Sequence, residues 1–181
     1  MSYFNVCVFV DRDESDFEQM AQRASETIAN FDINKNVEPY RYYVTADQIS
    51  RMAQWYGVDA TNIPVLAEKL EEWDGDKGGV DEIGLYGISV KNPVGHTDHW
   101  SAPEQIKFED RERCILSQGE GGKERIIKAV VTPDGEWIDG PWVYGVSNVE
   151  QDEELEAWNK KRAALFVEYK NATAFLLECH V

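Results

Sequence analysis

The stretch Ile126-Ile127-Lys128-Ala129-Val130-Val131-Thr132-Pro133-Asp134-Gly135-Glu136-Trp137-Ile138-Asp139-Gly140-Pro141-Trp142 reads as a β-hairpin. Two apolar runs flank Thr132-Pro133-Asp134-Gly135, where Pro fixes φ at the first corner of a type I turn and Gly takes the left-handed position that closes it. The run Ile126 to Val131 is rich in β-branched residues, as in a strand covered on both faces, so the hairpin is expected at the centre of a sheet.

Upstream, Phe4 to Val10 is a short apolar run that reads as a first strand. Ser15-Asp16-Phe17-Glu18 matches a capping box, and Phe17, Met20, Ala21, Ala24, Ile28 and Phe31 follow at helical spacing. Pro39 to Val44 alternates as a second strand, and Thr45-Ala46-Asp47-Gln48 caps a helix that Gly57 ends. A further helix begins near Thr61 or Asn62, with Pro64 in its first turn, and runs to Gly75. Glu71 to Glu82 reads as an acidic, glycine-rich loop, and Ile83 to Lys91 as a strand. Arg113 to Ser117 is a candidate strand and Gly119 to Gly122 a loose turn. Downstream, Leu155, Trp158, Leu165, Phe166 and Tyr169 make a helical stripe interrupted by Arg162, and Thr173 to Val181 is a last strand.

The 34 acidic residues outweigh 18 basic ones, for a net charge of −16, and the excess is spread along the chain. Such a chain is repelled by phosphate backbones and anionic lipid, which disfavours direct contact with nucleic acid or a membrane surface. Solubility is the plain reading of this charge; the sharper one is an acidic face that occupies a cationic, nucleic-acid-binding surface on another protein. Cys7, Cys114 and Cys179 are odd in number and widely separated, a cytosolic pattern, and neither a signal peptide nor a membrane-length apolar run is expected.

The chemistry-bearing residues form three sets. Glu71, Glu72, Asp74, Asp76, Asp81 and Glu82 offer carboxylates, but counting from Asp74 the fifth and twelfth positions are Gly78 and Leu85, so the loop is not an EF-hand. His96, Asp98 and His99 have a spacing that can turn two imidazoles toward one metal, against the plainer reading of a solvated loop. Glu178 and His180 are two apart on a strand and so share a face, where a carboxylate can orient an imidazole for acid–base work. Cys179 points the other way.

Several segments together resemble a family of uncharacterised proteins encoded by bacteriophages and bacteria. They are Pro39-Tyr40-x-x-Tyr43, Trp73-x-Gly75-Asp76-x-Gly78-Gly79-Val80-Asp81, Leu85-Tyr86, Asn92-Pro93, Val131 to Trp137 and Glu178-Cys179-His180-Val181, in the family's order. Where members carry Trp-Asp-Trp-Tyr followed by Gly-Gly-Arg-Trp, this chain has Thr97-Asp98-His99-Trp100 and Ala102-Pro103-Glu104-Gln105. The resemblance implies a phage context and supplies no reaction, cofactor or substrate.

The element order predicts one α+β domain over residues 1–181, a mostly antiparallel sheet with helices packed on one face and in part ferredoxin-like. The leading functional expectation is a non-enzymatic protein of the host cytoplasm that binds a host protein with a basic surface and inhibits a nucleic-acid-handling defence complex. The acidic loop would steer it, Trp100, Trp137 and Trp142 would anchor it, and no cofactor is needed. The alternative is a small metal-dependent or acid–base hydrolase using His96, His99 and His180 with Asp98 or Glu178. A housekeeping or virion role is the third.

Overall fold

A computed structural model describes residues 3–12, 16–106, 127–141 and 149–181. The chain forms two compact units: Met1–Asn34 with Pro93–Val181, and Lys35–Asn92 inserted between them in sequence.

The first unit is built on strands β1 (Tyr3–Val10), β7 (Ile127–Val131) and β9 (Thr173–His180). β1 pairs parallel with β7 and antiparallel with β9; β8 (Trp137–Asp139) closes one edge on β7, while β5 (His99–Trp100) and β6 (Glu104–Ile106) pair with β9 at the other. The predicted hairpin is β7 and β8. Gly135 sits at φ 84° and donates to the Thr132 carbonyl at 3.0 Å, and the Thr132 amide bonds Glu136 across the turn. β7 is buried along its whole length as expected, but among the described residues it lies one strand from the edge, since β8 has no described partner beyond it. Ile126 and Trp142, which bound the quoted stretch, lie outside the described residues, as do Cys114, Arg113 to Ser117 and Gly119 to Gly122.

The alternation of β1 decides the layering. Val6, Val8 and Val10 face helix α1 (Phe17–Ile28) through Met20, Ala24 and Ile28, with Phe31 from the 3₁₀ turn Ala29–Phe31. Cys7 and Phe9 face the last helix, α4 (Val149–Glu168), through Trp158, Leu165 and Phe166. This unit therefore carries helices on both faces of its sheet, because β1 and β7 are apolar on both sides; the one-face expectation is corrected here. α1 is capped by Asp16, whose carboxylate accepts from the Gln19 amide at 2.9 Å, one residue beyond the expected Ser15, which lies outside the described residues.

The second unit does have helices on one face. Its sheet runs β2 (Tyr40–Tyr43), β4 (Leu85–Ser89), β3 (Lys77–Val80), all antiparallel. Helices α2 (Ala46–Tyr56) and α3 (Ile63–Asp74) cover it through Met52, Ala53, Leu66 and Leu70 against Val44 and Leu85. The Thr45–Gln48 capping box is present, and Gly57 and Gly75 end the two helices in the left-handed conformation. The expected acidic loop is in part a strand. Lys77–Val80 pairs because Gly78 allows the backbone to approach α3 and Gly79 leaves room for the Tyr86 ring; a Cβ would lie 2.5 Å from the Ala67 carbonyl at the first and from Tyr86 at the second.

Candidate functional site

Two strand ends of the first unit meet where β5 joins β9. His99 is the register partner of His180, and His180 in turn of Tyr3, so the three share one sheet face across three strands. Thr97, fully buried, shares its one hydroxyl proton between the carbonyls of His99 (2.7 Å) and His180 (2.8 Å), and the Asp98 amide donates to the His180 carbonyl at 3.0 Å. This lattice aims the Asp98 side chain at the imidazole: Oδ1 lies 2.6 Å from His180 Nδ1. A carboxylate oxygen accepts, so Nδ1 is the donor in this contact. Nε2 is enclosed and has no hydrogen-bond partner among the described residues, and the Tyr3 ring stands 5.0 Å away, centroid to centroid.

The carboxylate that orients His180 is thus Asp98 and not Glu178. Glu178 is exposed; its backbone, rather than its carboxylate, bonds Ser101, donating from N to Oγ at 3.0 Å. Cys179 points into the opposite core, as read from the alternation, and burial pushes its thiol up to about 12, so it is no nucleophile at neutral pH.

His96, Asp98 and His99 do not converge. His96 stacks flat on Trp137, with centroids 4.3 Å apart and planes 2° from parallel, and both lie against Phe31. Asp98 is held by His180, and His99 is exposed on β5. Among the described residues no three His, Cys, Asp or Glu side chains are gathered as a metal would require. Burial lowers the His96 pKa, and Asp139 and Lys128 act on it in opposite senses. Lys128 itself is the extra residue of a bulge: Asn5 pairs with Ile127 and Val6 with Ala129. The kink turns its ammonium inward, where it donates to Asp139 Oδ1 at 2.9 Å and to the Gly140 carbonyl. Burial works to raise the Asp139 pKa, but bonds from Trp137 Nε1 and Lys128 hold it below the usual carboxylate range.

The expected binding residues are distributed differently. Trp100 and Trp137 are only partly exposed and pack on the core beneath the sheet, and Trp142 lies outside the described residues. In the second unit, Tyr42 Oη shares its one proton between Asp74 (3.0 Å) and buried Asp76 (3.2 Å), and Asp74 also accepts from Lys91. Burial first, then these two carboxylates, raises the Tyr42 pKa. Asp81 accepts from the Ile83 and Gly84 amides, which lower its pKa, and from Arg41 and Tyr43. Glu72 pairs with Lys69 at 2.9 Å, whereas Glu71 and Glu82 are exposed. Internal hydrogen bonding thus occupies Asp74, Asp76 and Asp81.

An aromatic pair that the sequence reading did not assign to binding is exposed instead. Trp55 on α2 is 76% exposed and Trp73 on α3 is 37% exposed, with ring centroids 6.3 Å apart at 73°. A Trp at the polar flank of an amphipathic helix, one position before Tyr56 of the apolar face, was the available signal. No protein-family model, curated protein or solved structure matches this chain. Among the described residues no helix is long and apolar enough to cross a membrane.

Proposed function

We propose that the protein is an acidic binding module that docks on a basic surface of a host protein in the cytoplasm, and that its target is a nucleic-acid-handling defence complex. The observation that carries the reading is the net charge of −16. In the described residues it includes exposed carboxylates on α3 (Glu68, Glu71, Glu72) and at the start of α4 (Asp152, Glu153, Glu154, Glu156). Such a field raises association rates with cationic partners and repels nucleic acid itself. The resemblance to phage-encoded proteins supports a counter-defence setting. The test is competition: a partner that co-purifies in stoichiometric amount should lose its nucleic acid when the acidic protein is added, less so as salt rises. A partner that binds nucleic acid and this protein at the same time would sink the reading.

A second reading rests on the Asp98–His180 pair, in which a carboxylate orients an imidazole whose Nε2 is enclosed and becomes a general base only if its cover opens. In a hydrolase screen, any activity should fall by a factor on the order of 100 in His180→Ala. Turnover that survives that substitution would dismiss the pair as catalytic.

A further inference from the structure

We infer that the Tyr3 ring is a movable cover over His180 Nε2, and that its swing admits a water molecule or a substrate hydroxyl to the Asp98–His180 pair; this inference rests on the acid–base reading above. The pair is complete on one side and shut on the other. Nδ1 is held by Asp98 at 2.6 Å, and the His180 carbonyl takes bonds from Thr97 Oγ1 and the Asp98 amide, so the imidazole cannot turn outward without breaking its contact with the carboxylate. The His180 side chain is only 15% exposed, and Nε2 is enclosed with no hydrogen-bond partner among the described residues. A ring nitrogen in that state forgoes the bond that water would give it, which is uncommon in folded proteins and calls for a reason.

The cover is the loosely held member of the group. Tyr3 opens β1 and is the register partner of His180, so strand pairing fixes its backbone beside the imidazole, and its ring lies 5.0 Å from the imidazole centroid at a tilt of 56°. Yet the residue is 64% exposed. In a strand two χ1 rotamers are common, and an exposed side chain exchanges between them on the picosecond to nanosecond scale, so the ring moves aside with no change in the backbone. Phe4, buried on the opposite face, keeps the strand in place meanwhile. In the neutral imidazole, donation from Nδ1 to Asp98 leaves the lone pair on Nε2, where it takes the proton of the incoming O–H group. The imidazolium charge is then met by Asp98, and the deprotonated oxygen goes on as the nucleophile.

The test uses the whole protein and diethyl pyrocarbonate, a small electrophile whose carbonyl a neutral imidazole nitrogen attacks, displacing ethyl carbonate, which breaks down to carbon dioxide and ethanol. Peptide mass mapping at about pH 7, where an ordinary imidazole is mostly neutral, follows His96, His99 and His180 separately. Exposed His99 should react first and serve as the internal reference, with His180 slower. Tyr3→Ala should raise the His180 rate by about tenfold or more, as when an open state populated to at most about 10% becomes the only state, and Tyr3→Phe, which keeps the ring, should stay at the wild-type rate. A His180 rate in Tyr3→Ala equal to that of wild type would overturn the cover. So would a rise shared by His96, which packs on Trp137 and Phe31 and reports general loosening. The probe needs no turnover, so the cover and the acid–base reading fail separately: unmasking of His180 by Tyr3→Ala in a protein whose hydrolysis survives His180→Ala keeps the cover and removes the base.

Discussion

Asp98 and His180 are 82 residues apart in the chain, yet Oδ1 of the first lies 2.6 Å from Nδ1 of the second. The contact fastens β5 to the C-terminal end of β9, which also pairs with β1 and β6. Truncating the carboxylate leaves a largely buried ring N–H unpaired. Asp98→Ala should therefore lower unfolding stability by about 1–3 kcal/mol in urea titrations, and Asp98→Asn, which keeps an acceptor, by less. Equal stability of Asp98→Ala and wild type would show the contact to be energetically idle.

Gly87, at the centre of the second unit's sheet, lies beneath the Tyr42 ring, and a Cβ there would come within 2.5 Å of it. Tyr42 cannot yield cheaply, because its hydroxyl is bonded to Asp74 and Asp76. Gly87→Ala should cost about 1–3 kcal/mol by overpacking. The loss should appear in amide exchange of β2, β3 and β4; protection there equal to wild type would contradict the prediction.

Trp158 joins α4 to β7: its buried indole N–H donates to the Ile127 carbonyl at 2.7 Å, and its ring covers Gly140. Replacing it with Phe removes the donor and part of the ring. Thermal unfolding should register a loss of about 1–3 kcal/mol, and a Tm at or above that of wild type would refute the assignment.

His96 provides a pH dependence. Its pKa in the folded state is lowered, chiefly by burial, from the ordinary 6.5, so below that pH the unfolded chain binds more protons at this position. The stabilising contribution is complete above 6.5 and declines as pH falls through the lowered folded value. In Tm measurements between about pH 8 and 5, His96→Phe should lose less stability on acidification than wild type. Parallel curves would assign the acid sensitivity to other groups.

How legible these features were depended on their range in the chain. The Thr45–Gln48 box, the Pro133–Gly135 turn and the glycine ends of α2 and α3 are local, set by residues within one turn of each other, and all stand as expected. The last strand showed in its alternation, and with it the separation of Cys179 from His180. The pairing of His180 with Asp98 did not. The hydrolase reading offers Asp98 or Glu178 as the carboxylate beside His180 and leaves the choice open, because nothing in a linear pattern states which edge β5 joins. Likewise Trp100 and Trp137 read as surface anchors until the sheet turned them onto Phe4, Phe31 and Cys179.

What the sequence determined by itself was the α+β class, the elements with strong caps and turns, and the acidity on which the proposed function rests, since propensity, capping and net charge are properties of neighbouring residues or of composition. Only the tertiary structure decided which strands adjoin, that the first unit's sheet is covered on both faces, that Asp74, Asp76 and Asp81 are held by Arg41, Tyr42 and Lys91, and that Trp55 stays exposed. Those outcomes depend on contacts between residues far apart in the chain, where burial and hydrogen bonding are settled jointly by surfaces that no single segment contains.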